Sequence, residues 1–257
     1  MKRKKKSRGE RLRRGIYILP NIFTSLNIFF GFYAVIASIN GRFLAAAVAI
    51  IIAGVFDILD GKIARATHTT SKFGVEYDSL ADLVSFGLAP GLMMYLWALK
   101  PLGRIGWLAA FLFMVCGALR LARFNSQVGK VDSGHFIGLP IPAAAGMNAT
   151  TVLLWHKFGF PVEPNRLLIL IMLYVLAFLM VSNVHYNSFK NAGLYRKINF
   201  NVLVAAVLVL IFIAAQPSIA LFSIGLMYVI AGPATSIWRY RRKLKSGETG
   251  PQEIEDH

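Results

Sequence analysis

Long apolar runs, separated by short breaks rich in charge, glycine and proline, set the plan of this chain. Read between those breaks, the runs predict eight helical spans, at about 20–39, 43–63, 79–99, 105–124, 138–156, 166–186, 200–215 and 218–238. Stretches 83–99, 167–184 and 202–237 carry no Asp, Glu, Lys or Arg. A helix of about 20 such residues crosses the hydrocarbon of a bilayer. The last two spans are divided by Gln216-Pro217 alone, which gives a tight hairpin or one long kinked helix. The fold class expected is therefore all-α: a polytopic helical membrane protein with about eight transmembrane helices. Residues 1–16 form a basic N-terminal segment, 17–240 the transmembrane domain and 241–257 a polar tail. Within 9–17, Leu12 and Ile16 lie four apart among basic residues, the pattern of a short amphipathic helix lying in the membrane interface.

Composition agrees. The chain is 56% hydrophobic, with a mean hydropathy of +0.57, above the usual apolar share of a soluble domain. The run behind the basic N-terminus is long and has no small-residue cleavage site, so no cleavable signal peptide is expected. Cys116 is the single cysteine, which excludes an intramolecular disulfide and reads as a buried small hydrophobe.

The net charge of +16 reports topology and anionic lipid rather than nucleic acid, because neither tail interleaves aromatics with its basic residues. Of the 28 Lys and Arg, nine precede Ile16, three fall in each of the breaks at 62–78, 120–137 and 187–199, and five end the chain at 239–245, so 23 share one side. Arg42, Lys100, Arg104, Lys157 and Arg166 take the other. By the positive-inside rule both termini are cytoplasmic in the cell membrane.

Against this background the acids are conspicuous. Asp57 and Asp60 close the second span; Asp78 and Asp82 open the third. Spacings of three and four place each pair on one helix face, and a hairpin with a 15-residue loop brings the pairs together. Carboxylates at a membrane are costly unless paired or functional. All-oxygen ligands favour Mg²⁺ or Mn²⁺, and two such ions can clamp a phosphoryl group. Gly61 and Gly74 admit close approach to the backbone, and Arg65 is placed to neutralise phosphate. The structural alternative pairs these acids with Lys62, Arg65 and Lys72. A divalent-cation transporter would distribute its acids through the depth of the membrane, whereas all four gather at one boundary here.

The eight fixed positions Asp57, Asp60, Gly61, Ala64, Arg65, Gly74, Asp78 and Asp82, in the pattern D-x2-D-G-x2-A-R-x8-G-x3-D-x3-D, resemble the signature of the CDP-alcohol phosphotransferases. The resemblance implies that Asp57, Asp60 and Asp78 bind divalent cations, two Mg²⁺ or Mn²⁺. It makes Asp82 a ligand or a neighbour of one, and the base that deprotonates the attacking alcohol. Asp60, Gly61, Ala64, Arg65 and Gly74 would line the CDP moiety. Family members also resemble homodimers. Pro20–Asn27, Gly117–Asn125 and Phe136–Ala143 resemble the phosphatidylserine synthase branch, which implies CDP-diacylglycerol, or an ether-lipid analogue, as donor and L-serine as acceptor. Other acceptors within the family are glycerol 3-phosphate, inositol compounds and choline. Relatives using glycerol phosphate often carry arginine where Asn27 stands.

Thr24 and Asn27, one turn apart within the first span, either contact the CDP-lipid or bond a neighbouring helix; Asn125 and Asn148 share that ambiguity. Arg120 and Arg123, three apart, either hold the serine carboxylate or a lipid phosphate, or anchor the helix end. Gly138, Pro140 and Pro142 shape a helix entry. The five histidines have no metal-binding spacing; His68 and His135 are on the cytoplasmic side within reach of substrate, and the other three are interfacial or tail residues.

Overall fold

The computed structural model describes residues 8–67, 71–127, 135–187 and 200–245. Eight helical rods stand at the eight expected places: α1 (Arg8–Ile39), α2 (Phe43–Ala66), α3 (Lys72–Leu102), α4 (Arg104–Gln127), α5 (Ile141–Phe158), α6 (Arg166–Val181), α7 (Phe200–Ala215) and α8 (Pro217–Lys245). Six contain a stretch long and apolar enough to cross a membrane, in α1 beginning at Pro20. Of the other two, α7 has 16 residues, and α5 carries the buried polar residues Asn148, Thr150 and Thr151, as suits a helix inside the bundle. The chain is a multi-pass helical membrane protein.

Three expectations change and one alternative is decided. The amphipathic segment at 9–17 is no separate helix; it runs unbroken into the first span through Pro20. The 15-residue loop between the second and third spans shrinks, because α2 extends to Ala66 and α3 begins at Lys72, capped by Ser71 accepting from the Gly74 amide at 3.0 Å. Asp78 and Asp82 therefore lie inside a helix rather than at its start. Gln216 breaks α7 from α8, so the end of the bundle is a hairpin of two helices. The fold is also not purely helical: His135–Ile137 (β1) and His185–Asn187 (β2) pair antiparallel, with Phe136 opposite Tyr186. His68 and the tail beyond Lys245 lie outside the described residues.

Small side chains let α1 and α2 approach closely. Ala34 and Ala37 on one helix and Ala46, Ala47, Ala49 and Ala53 on the other are all buried, as membrane helix contacts require. Between α1 and α3 the approach is tighter still: a Cβ on Gly31 would stand 2.1 Å from Ser85 Oγ and 2.7 Å from Ser85 Cα. The Ser85 hydroxyl donates to the Asn27 carbonyl at 3.0 Å, which fixes α1 against α3 beside the aspartates.

Within α3, Leu83–Leu88 and Tyr95–Leu99 are wound as π-helix. Each wide turn is followed by a proline, Pro90 and Pro101. A proline lacks the amide that would continue the α-ladder and its ring crowds the carbonyl four residues back, and the looser winding relieves both. The first π-turn begins at the residue after Asp82.

Gly138 (φ +83°) turns the chain from β1 into α5, and a Cβ there would meet the Met180 carbonyl at 2.3 Å. Its amide donates to the Val184 carbonyl and that of Leu139 to the Leu179 carbonyl, at 2.8 and 2.9 Å, so the strand pair closes the end of α6. Pro140 and Pro142 then start α5, whose first turn needs no amide donors.

Candidate active site

Three helices converge on the carboxylates. The C-terminal turns of α2 supply Asp57 and Asp60, the N-terminal half of α3 supplies Asp78 and Asp82, and α1 crosses both with Thr24 and Asn27. Asp60 and Asp82 are buried; Asp57 and Asp78 are half-buried. One carboxylate oxygen each from Asp57, Asp60 and Asp78 lies within 4.8 Å of the others. Asp82 stands beside this trio, and its carboxyl reaches that of Asp57.

Thr24 and Asn27 hold two of the acids in place. The Thr24 hydroxyl donates to Asp60 Oδ2 at 3.0 Å, and Asn27 Nδ2 donates to Asp82 Oδ1 at 3.3 Å. Both are buried, so of the two expected roles the structure shows the bond to a neighbouring helix, made to the acids themselves. Asp78 Oδ1 is buried and has no hydrogen-bond partner among the described residues. None of the four acids makes a salt bridge there, and Lys62, Arg65 and Lys72 are exposed. The purely structural pairing is thus not formed. Three converging carboxylates, with an Asp78 oxygen buried and unpartnered among the described residues, fit a divalent metal ion.

Arg65 folds back along α2, its guanidinium 3.6 Å from where a Cβ on Gly61 would stand. At Gly74 the corresponding position faces Ser71 Oγ at 3.1 Å and Asn21 Oδ1 at 3.8 Å. The two glycines and Ala64 keep this end of α2 and α3 low around the acids, with Arg65 exposed above them.

Residues 17–181 match the CDP-alcohol phosphatidyltransferase family. The chain belongs to that family. It is an enzyme of phospholipid synthesis, and the acids described above lie within the matched residues. Among curated relatives, the CDP-diacylglycerol–serine O-phosphatidyltransferase of Helicobacter pylori (strain ATCC 700392 / 26695) is 39% identical over 217 residues, 84% of this chain and 90% of the relative. The archaetidylserine synthase of Methanothermobacter thermautotrophicus is 36% identical over 177 residues, 68% of this chain and 72% of the relative. The protein of Methanocaldococcus jannaschii that bears the same name as the Helicobacter relative is 38% identical over 179 residues, 69% and 78%.

Around this centre the enzyme separates the two candidate arginines of α4. Arg123 Nη2 donates to Asn183 Oδ1 at 2.9 Å, which ties α4 to the segment after α6. Arg120, one turn nearer the membrane centre, has a buried Nε without a partner among the described residues, and its charge faces Asp82 and Tyr228. Asn125 bonds Ser79 at 3.0 Å and Glu76 at 3.4 Å, joining α4 to α3 on the side away from the trio. Asn148 is fully buried in α5 with both polar atoms unpartnered among the described residues. Ser85 and Tyr228 carry no signal in the sequence. Serine is unremarkable in a membrane helix, and Tyr228 is one phenol in a charge-free run of 36 residues, 202–237.

Proposed function

We propose that this enzyme transfers the phosphatidyl group of CDP-diacylglycerol, or its ether-lipid analogue, to the hydroxyl of L-serine, releasing CMP. The observation that carries the choice of serine is the match over 84% of the chain to a relative of that name. Arg120 is the residue that supports it physically, as a half-buried cation whose charge interacts with that of Asp82. A serine carboxylate bound there would bring its hydroxyl towards the carboxylates.

Asp57, Asp60 and Asp78 would hold divalent cations, two Mg²⁺ or Mn²⁺, which when bound supply electrostatic stabilisation to the diphosphate. Asp82 accepts the proton of the serine hydroxyl as its oxygen attacks the lipid-bearing phosphorus, and the bond from that phosphorus to the CMP oxygen breaks. Asn27 orients Asp82 for this transfer. Arg65, Gly61, Ala64 and Gly74 receive the cytidine diphosphate, where the arginine balances charge on the departing CMP. The charge bias of the loops supports a cytoplasmic position for this centre. The nine basic residues before Ile16 would hold that face against anionic lipid, and the enzyme would work as a homodimer, as the family resemblance implies.

The test is CMP release by purified protein from CDP-diacylglycerol with a panel of alcohols. Serine-dependent release, lost in Asp82→Asn, is expected. Release that depends on glycerol 3-phosphate or an inositol compound but not on serine would overturn the assignment.

A further inference from the structure

At the end of the bundle opposite the acids, a cavity of about 570 Å³ opens between the α1–α2 turn, the α5–α6 turn and the last turns of α3 and α5. Phe43 on its wall and Asp60 in the site stand on one helix, α2, about 25 Å apart at 1.5 Å of rise per residue. That distance is most of the hydrocarbon thickness of a bilayer. The cavity is therefore separate from the catalytic centre and faces the other leaflet. Its volume lies within the range of about 300–1,000 Å³ usual for small-molecule sites.

The lining says what chemistry it takes. Trp97, in the second π-turn of α3, meets Trp155 of α5 edge-on at 6.3 Å, and Trp155 meets Phe160 of the α5–α6 turn at 5.7 Å. These three rings, each half-buried or exposed, give a braced apolar wall suited to a hydrocarbon chain. Among the described residues that line the cavity, only Arg42 and His156 can carry charge, and both are basic and exposed. The Arg42 guanidinium stands 6.0 Å from the centre of the Tyr33 ring, a cation–π contact that keeps it at the α1–α2 turn. Aromatic rings beside a basic side chain at a helix end are the pattern that meets lipid headgroups at a membrane boundary. The turns at this end are short, and those joining α1 to α2 and α5 to α6 form the rim of the cavity rather than a lid. Leu44 and Phe160 leave it open at the edge, being 42% and 48% exposed.

We propose that this cavity is a second lipid site: it takes an acyl chain of an anionic phospholipid from the leaflet opposite the active site, with the phosphate at Arg42 and His156. The chain lies against Trp97, Trp155 and Phe160. A lipid held there joins the α1–α2 turn to the α5–α6 turn, and so steadies the far ends of the two helices that carry Thr24, Asn27, Asp57 and Asp60. This site binds no reacting group, and the proposal holds whichever alcohol is the acceptor.

The experiment uses the full chain in mixed micelles with Trp107→Phe and Trp238→Phe, which leaves Trp97 and Trp155 as its tryptophans. Quenching of their fluorescence is followed against the mole fraction of brominated-chain phosphatidylglycerol or phosphatidylcholine. Phosphatidylglycerol should reach half-quenching at about a fivefold lower mole fraction, the attraction of one cation for an anionic headgroup. Arg42→Gln should bring the two curves together, and Arg42→Lys, which keeps the charge, should keep them apart. CMP release by Arg42→Gln within about twofold of its parent, as suits an exposed turn, certifies that it is folded. Equal curves for the two lipids, or a preference untouched by Arg42→Gln, would leave annular lipid alone and overturn the proposal. Loss of the preference in Arg42→Lys as well would overturn its electrostatic basis. No quenching by either lipid would mean that a second copy of the chain or water fills the cavity, and would overturn it outright.

Discussion

Asn27 on α1 donates its side-chain amide to Asp82 on α3 across 3.3 Å, and it does so 55 residues earlier in the chain. The bond aims one Asp82 oxygen at α1 and fixes the carboxyl beside Asp57. Asn27→Leu removes the donor and keeps the volume. Hydrogen bonds to charged groups contribute about 1.5–3 kcal/mol, so kcat should fall roughly 10- to 100-fold, with the KM of both substrates little changed. Steady-state CMP release measures this; a change confined to KM would mean that Asn27 binds substrate instead.

Asp57, Asp60 and Asp78 present oxygens within 4.8 Å of one another, so chelation should abolish CMP release and added Mg²⁺ or Mn²⁺ should restore it. Asp78→Asn should raise the metal concentration for half-activity at least tenfold, since it removes one charge from the cluster. Titration of activity with metal is the measurement. An unaltered midpoint would remove Asp78 from the ligand set.

Arg120 and Arg123 should respond differently. Arg120→Gln is expected to raise the serine KM by more than tenfold, the cost of losing a charge-assisted bond to a carboxylate. Arg123→Gln gives up its bond to Asn183 at an exposed position, and should shift the serine KM less than about threefold. Equal effects from the two would reassign both to helix anchoring.

Packing at Gly31 can be tested without chemistry. Its missing Cβ would stand 2.1 Å from Ser85 Oγ, so Gly31→Ala forces α1 off α3 and should cost about 1–3 kcal/mol. Gly54, whose Cβ position has its nearest neighbour at 3.9 Å, should accept alanine with little change. Thermal unfolding in detergent compares them; equal stability of the two variants would contradict the packing.

Much of this was legible in the sequence because bilayer and chemistry both write local patterns. Charge-free runs placed all eight helices, and the acid spacing located the site. Helix ends were less legible: between Lys72 and Asp78 the apolar residues Phe73, Val75 and Tyr77 alternate rather than recur at helical spacing, and Ser71 as N-cap decides it. The roles of Thr24 and Asn27 needed the crossing of α1 over the acids. Arg120 and Arg123 look alike in sequence, since only the position of Asn183 and Tyr228 separates them. The strand pair escaped notice because three residues on each side carry no alternation long enough to read.

The π-turn at Leu83–Leu88 gives α3 two independent phases. Each added residue rotates a helix by about 100°, so the wide turn uncouples the direction in which Asp78 and Asp82 point from the direction in which Phe86, Met93 and Met94 pack. Deleting a single residue there would leave both halves helical and both sequences intact, yet swing the carboxylates away from Asp57 and Asp60. The enzyme's alignment thus depends on a residue count as much as on residue identity, and the buried half of α3 beyond the turn sets its packing without fixing the direction of the acids.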